Sequence, residues 1–180
     1  LMKKTFFEYI VTGSDPFIDQ RGKINNFRLN EKINLIATIT SKKGSMRSNH
    51  YHPVQQQKCL LIKGQYVSVY KDLLNKDSSR ITHVVNPGDL IMTEPNVAHT
   101  MVFTKDSIFL NLVNGEREHN NYGKTHTIPY KLVDDSEREY LVDNYKHECR
   151  VCLNESFSRF VSLGFQPHPN DLLKSNKEDK

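Results

Sequence analysis

Apolar and polar residues alternate in short runs along the chain from about residue 5 to 130. Ile33–Thr40, Lys58–Lys63, Gln65–Tyr70, Ile81–Val85 and Ser107–Val113 are rich in β-branched and aromatic side chains, and each predicts a strand. Between the runs stand Lys63-Gly64, Asn86-Pro87-Gly88-Asp89 and Asn114-Gly115, which predict tight turns. Many short strands at close spacing predict an all-β sandwich or barrel. One helix is predicted, from Asp134 to about Asn144, with acidic residues early and Tyr140, Leu141 and Tyr145 at helical spacing. After about Tyr145 the character changes to a cysteine pair, a Pro- and Asn-containing stretch and a polar end from Lys174 to Lys180. The pattern therefore predicts a barrel over 1–145. A small, mostly irregular or helical C-terminal appendage follows over 146–180, its last residues expected to be disordered.

Composition narrows the classes. The hydrophobic share is 37%, tryptophan is absent, and Phe 9, Tyr 8 and Met 4 with the aliphatics suffice for one compact core in 180 residues. No stretch approaches the roughly 20 apolar residues of a membrane helix, and the start lacks the uninterrupted apolar segment of a signal peptide. Leu1 ahead of Met2 reads as a cloning scar. A net charge of +4, scattered along the chain, does not argue for nucleic acid and suits an anionic small molecule. Three cysteines without a signal peptide fit a reducing cytoplasm and a metal or structural role better than disulfides. The expectation is a cytoplasmic protein without a membrane span or disulfides.

The informative stretch runs from Gly44 through Arg47, His50, His52 and Gln57 to Gly64. In an extended chain His50 and His52, two apart, leave the same face of a sheet, and Gln57 joins them if it begins the next strand. Gly88 to His99 offers a third histidine after a Pro-Gly turn. Three imidazoles and an amide converging inside a small barrel would make a polar, titratable pocket. Isolated histidines are more often structural, and His83, His119 and His126 are read that way. Cys59, inside an apolar run, reads as a buried structural thiol.

This spacing resembles the two cupin motifs. The first is Gly44, five residues, His50-x-His52, four residues, Gln57, six residues, Gly64; the second is matched from Gly88 through Glu94 and Asn96 to His99. The departures are Gln57 for the usual glutamate, Glu94 for proline, Asn96 for glycine and Phe103 for the final asparagine. The resemblance implies a cupin double-stranded β-helix, a jelly roll. Asp19-x-Arg21-Gly22 and Arg47-x-x-His50-Tyr51 further resemble the dTDP-4-dehydrorhamnose 3,5-epimerases, in the same order. His52 followed by Gln57 is more similar to the dTDP-4-keto-6-deoxyhexose 3,4-ketoisomerases.

What these likenesses imply is enolisation of a nucleotide-linked 4-keto-6-deoxyhexose, without a catalytic cofactor, by a homodimer. His50 would be the general base, its imidazole titrating near neutrality, and Tyr122 the acid, with Tyr130 and Tyr51 as rivals. Lys58 would stabilise the enolate oxygen. Arg21 and Arg47 would face the diphosphate, and His52, Gln57 and His99 would line the substrate site. Blander readings stand beside these: Arg21 in a turn ion pair with Asp19, and Arg47 and Lys58 on a solvated basic face. The rival enzyme class is a metal-dependent, dioxygenase-type cupin with a divalent ion on His50, His52 and His99, its hard-ion affinity weakened by Gln57. The third class is a non-catalytic sugar-binding module.

Cys149-Arg150-x-Cys152, then Leu163-Gly164-x-x-Pro167-x-x-Asn170, resembles the start of the zinc-binding region of deoxysugar C-methyltransferases. That likeness implies zinc at Cys149 and Cys152, an incomplete site here unless His147 and His168 complete it. It also implies a methyltransferase domain in a longer parent chain, from which this one was cut or truncated.

Overall fold

The computed structural model describes residues 8–11, 17–114 and 126–145. The strands are β1 (Glu8–Val11), β2 (Phe17–Asp19), β3 (Gly22–Ile24), β4 (Leu35–Ser41), β5 (Met46–Tyr51), β6 (Gln57–Asp72), β7 (Ile81–Val85), β8 (Leu90–Thr93), β9 (Val97–Val113) and β10 (Ile128–Pro129), followed by the helix α1 (Asp135–Asn144). Eight strands form one antiparallel sheet in the order β1-β8-β6-β9-β5-β10, with β4 also on β9 and β7 also on β6. Strands β2 and β3 form a separate hairpin. The fold is an all-β jelly roll of the cupin type, as the motif spacing implied. The boundary near 145 and the segment beyond it lie outside the described residues.

Two long strands organise the barrel. The 17 residues of β9 pair with β6 over most of their length, with β5 near their start and with β4 near their end. The two runs flanking Gly64 are one 16-residue strand, not two strands joined by a turn. Gly64 is instead a bulge in the β6–β9 ladder, with φ +92 and the register shifting around it. A Cβ there would collide with Ser107 and the backbone of Asp106, so glycine is required both for its left-handed φ and for the close approach of β9. The Asn86–Asp89 turn forms as predicted, closed by Asp89 N donating to Asn86 O at 3.0 Å, with Gly88 at φ 91.

The core fills both halves of the barrel. One cluster packs Tyr66, Phe103 and Phe109 with Leu61 and Ile91; the other packs Val67, Val69, Val102, Val133 and Leu141. Each large side chain fully withdrawn from water contributes about 1.5–3 kcal/mol. Phe103, where the second cupin motif usually has asparagine, is one of these core residues.

The helix α1 begins where its sequence signal placed it. Asp134 caps it, Oδ1 accepting from Glu137 N at 2.8 Å, and the cap's charge is held in its ionised form by that bond and by Ser136 Oγ. Only Leu141 of the helix is buried. Arg80 ties the helix to the chain entering it, donating to Leu132 O at 2.6 Å and pairing with Glu137. The segment from His126 to Val133 thus runs as a strap from the barrel mouth, along β5 as β10, to a capped and core-anchored helix.

Strand β1 carries a buried carboxylate. Glu8 accepts from Ser68 of β6 and from Thr93 Oγ1 of β8 at 2.8 Å, and His83 Nε2 of β7 lies 3.3 Å away. Burial dominates these hydrogen bonds and pushes its pKa up from 4.5 to about 7, and Tyr70 is pushed up to about 12, first by its own burial and then by Glu8. The folded chain therefore holds the Glu8 proton more tightly than the unfolded chain between pH 4.5 and about 7. The resulting stabilisation is fully present below 4.5 and is lost as pH rises through about 7, a change on the order of 3 kcal/mol. Glu8→Gln should remove this dependence and raise the melting temperature at pH 8 more than at pH 5.5. Parallel pH–stability curves for the two proteins would contradict it.

Candidate active site

The polar centre is built from the register of β5 against β9. Ser48 faces Thr100 and His50 faces His99, with a bulge between the two pairs that aims both rings into the barrel. Asn96, at φ 62, makes the left-handed turn that its place in the second motif required, donating from its backbone N to His52 O at 2.8 Å. This fixes the chain just beyond β5, where His52 follows His50 on the same side. The ring centroids are 4.8 Å apart for His50–His52, 4.9 Å for His50–His99 and 5.5 Å for His52–His99. One nitrogen from each ring lies within 4.8 Å of the others.

The cavity above them measures about 210 Å³. Gln57, the first residue of β6, lines it as anticipated, with Gln55 and Asn111 as further amides. Ile39, Met101, Phe109 and Val113 make an apolar wall, and Arg47 is its charged residue. Arg47 is held by Nε donating to Ser41 Oγ at 2.6 Å and Nη2 to Thr40 O at 2.8 Å. It also borders an open groove with Lys42 and Lys63. No carboxylate is among the described lining residues of the histidine cavity.

Burial decides the protonation state. His50 is lowered to about 3, first by desolvation and then by repulsion from His52. His99, on β9, is pushed well below 6.5 by desolvation and by both other rings. The sequence expectation of a base titrating near neutrality is thus corrected: burial and the neighbouring imidazoles keep His50 and His99 neutral. The hydrogen bonds also assign tautomers. His99 Nδ1 lies 3.1 Å from Val97 O and His52 Nδ1 lies 3.1 Å from His126 O. A carbonyl only accepts, so each Nδ1 carries the hydrogen and each Nε2 is a lone-pair nitrogen. His99 Nε2 is buried with no hydrogen-bond partner among the described residues.

A metal would fit this donor set. Three imidazoles, two of them held through Nδ1 by carbonyls, suit a borderline ion such as zinc, iron or nickel better than a hard one.

Other predicted residues fall elsewhere. Lys58 is fully buried on the opposite face of β6 from Gln57 and Cys59, and its Nζ donates to Glu31 Oε2 at 2.6 Å. It therefore does not reach the cavity, which corrects its assignment as the enolate stabiliser, and it is not on a solvated face either. Arg21 is 79% exposed at the β2–β3 turn and grips Asp19, Nε to Oδ2 at 3.0 Å, which lowers the Asp19 pKa. The turn ion pair is what forms. Tyr51 and Tyr130 pack against the second core cluster and do not line the cavity. Tyr122, Cys149 and Cys152 lie outside the described residues.

His126 was read as structural, yet it lines the cavity, 6.0 Å from His52 between ring centroids, with Thr127 beside it. Its only sequence signal is position: it stands just before the short run that becomes β10, which pairs Pro129 with His50.

No protein-family model and no curated protein matches the chain. Among solved structures, a 3,4-ketoisomerase from Thermoanaerobacterium thermosaccharolyticum, in complex with TDP-4-keto-6-deoxyglucose, superposes at TM-score 0.57 and 14% identity, over 79% of this chain and 99% of that one. A 3,4-ketoisomerase from Helicobacter canadensis gives 0.55 at 19%, over 78% and 100%. The dTDP-4-dehydrorhamnose 3,5-epimerase of Sulfolobus tokodaii gives 0.51 at 20%, over 64% and 72%. The chain shares their fold. Among the described residues no helix is long and apolar enough to cross a membrane.

The placement of Lys58 yields a prediction. Lys58→Ala, which empties a buried stem and leaves Glu31 unpaired, should lower stability by about 2–3 kcal/mol in urea titration. Lys58→Met should recover most of it, and neither should move the imidazole resonances of His50 or His99. Shifted histidine signals in the Met variant would return Lys58 to the site.

Proposed function

We propose that the chain is a sugar-nucleotide isomerase that enolises a 4-keto-6-deoxyhexose, its epimerase or ketoisomerase outcome set by where the proton returns. The observation that carries this reading is the cavity itself: three clustered imidazoles, His50 half-buried and His52 and His99 buried, facing an apolar wall, with Arg47 as its charged group and no acid among its described lining residues. A dianionic diphosphate meets no repulsion from that lining, and a guanidinium matches phosphate oxygens. His50 is the ring assigned the proton. It is neutral, as a base must be, and stands at the centre of the cluster, closest to both other rings.

The tautomers distribute the remaining work. The lone pairs of His52 and His99 accept from sugar hydroxyls and so orient the ring against His50. They cannot donate to the enolate oxygen while neutral. That task falls to amide hydrogens of Gln57 or Asn111, or to Arg47, all of which line the cavity. Desolvation, and after it His52, keep the free His50 ring in the neutral form that a base requires, at the cost of a lower affinity for the proton it takes.

A second reading is favoured by one observation. The ligand-capable nitrogens of His50, His52 and His99 converge within 4.8 Å, with two Nδ1 hydrogens already committed to carbonyls. A divalent ion held there would polarise the ketone as a Lewis acid. The two readings share the sugar and differ in what the histidines do.

The deciding experiment is proton NMR of TDP-4-keto-6-deoxyglucose in D2O with the protein. Loss of the C3 or C5 proton signal is expected, slowed by a factor of about 10²–10⁴ in His50→Asn. Exchange that survives in that variant would refute the role of His50, and no exchange at all would refute enolisation of this sugar. If the exchange disappears on chelation and returns with one metal ion per chain, in a background of Cys149→Ser and Cys152→Ser, the second reading replaces the first.

A further inference from the structure

The two residues just before His50 break the rules of a strand. Ser48 and Asn49 are consecutive left-handed residues within β5, at φ 74 and 58. That backbone is unfavourable for any residue with a Cβ, and it persists only where surrounding contacts hold it. For Asn49 those contacts are unusually complete. Its Oδ1 accepts from Thr100 Oγ1 at 2.7 Å, from Leu132 N at 2.9 Å and from Val133 N at 3.1 Å. Its Nδ2 donates to Val133 O at 2.9 Å and lies 3.6 Å from Met46 Sδ. Its backbone O accepts from Tyr130 N at 2.8 Å.

An asparagine chosen only for its tolerance of a left-handed φ would leave its amide to solvent. Here the amide does what a strand backbone does. The bulge interrupts the β5–β9 ladder between Ser48 and His50, and β10 ends at Pro129. The carboxamide bridges both gaps, reaching β9 at Thr100, next to His99, and extending the pairing of the strap from Tyr130 to Val133. The same strap supplies His126 and Thr127 to the cavity and the carbonyl that fixes His52.

We propose that Asn49 is a positioning residue: its carboxamide locks the β5 bulge to Thr100 and to the backbone of Leu132 and Val133, setting the direction of the His50 ring and the seat of the strap that carries His126. Its kinetic consequence rests on the isomerase reading; its geometric content does not.

Two variants test it. Asn49→Gly keeps the left-handed backbone and deletes the amide, whereas Asn49→Asp keeps acceptor oxygens and loses the Nδ2 donor. With histidines labelled by 15N, the ring signals of His50 should shift or broaden in Asn49→Gly. The amide hydrogens of Leu132 and Val133 should exchange at least about tenfold faster. Asn49→Asp should recover protection at both amides. On TDP-4-keto-6-deoxyglucose in D2O, kcat should fall about 10–100-fold in Asn49→Gly, since small misplacement of a reacting group costs rate. The Kd for TDP should stay within about twofold, separating positioning from loss of binding. Unchanged His50 signals and unchanged protection of Leu132 and Val133 in a folded Asn49→Gly would overturn the proposal. If that variant does not fold, Thr100→Val, which removes one of the donors to the same Oδ1, decides: the proposal stands if the His50 ring signals move and falls if they are unmoved. Should the unmodified protein exchange no substrate proton, the isomerase reading fails, while the ring and amide signals still decide on Asn49.

Discussion

The pairing of β6 with β9 is the constraint on which the rest of the structure depends. These two long strands contribute to both halves of the barrel, and several polar residues of the cavity are placed by reference to them. Gln57 enters at the start of β6, His99 and Asn111 ride on β9, and His50 is positioned by its register against His99. The ladder is continuous only because Gly64 lets β6 bulge against Ser107, where a side chain would hold the strands apart. The two runs are then one element, and the barrel wall is rigid where the imidazoles need it.

Rigidity has an electrostatic consequence. Three histidines held close together in a cavity backed by Phe109 and Met101 cannot share the space as cations, and desolvation and repulsion keep His50 and His99 neutral. Neutral rings present lone pairs, and carbonyls of Val97 and His126 choose which nitrogen presents each of two of them. The site is thereby tuned without a single carboxylate among its described lining residues.

Much of this was legible in the sequence, and the exceptions share a cause. The pair His50–His52, the strand-initiating Gln57 and the turn that delivers His99 follow from period-two alternation and from turn residues, both local signals. The helix after Asp134 is local as well. Lys58 was misread although the local rule was available: if Gln57 points into the barrel, its neighbour must point out, where Glu31 meets it. Gly64 was read as a turn because positive φ serves turns and bulges alike, and only the approach of β9 distinguishes them. His126 and Asn49 had no local signal. Their roles come from a strap that closes over the barrel from some 80 residues away, as the separation of Asn49 from Val133 shows. The neutral state of the histidines is likewise a property of burial, which composition does not carry.

The tautomers narrow the chemistry further than the residue types do. A cavity that must stabilise a developing oxyanion needs hydrogens pointing at it, yet His52 and His99 direct theirs at backbone carbonyls. In the proposed isomerase, donation would therefore fall to the amides and to Arg47, whose guanidinium is already pinned by Ser41 and Thr40 and would lose little freedom on binding an anion. What remains at the centre is a set of acceptors. Sugar hydroxyls satisfy acceptors through hydrogen bonds, and a cation satisfies them through coordination. The two occupants make opposite demands on His50, which must stay uncoordinated to move a proton and must give up its lone pair to hold an ion. On the proposed readings, the direction of that one ring, which Asn49 is proposed to set at the β5 bulge, would separate the two chemistries.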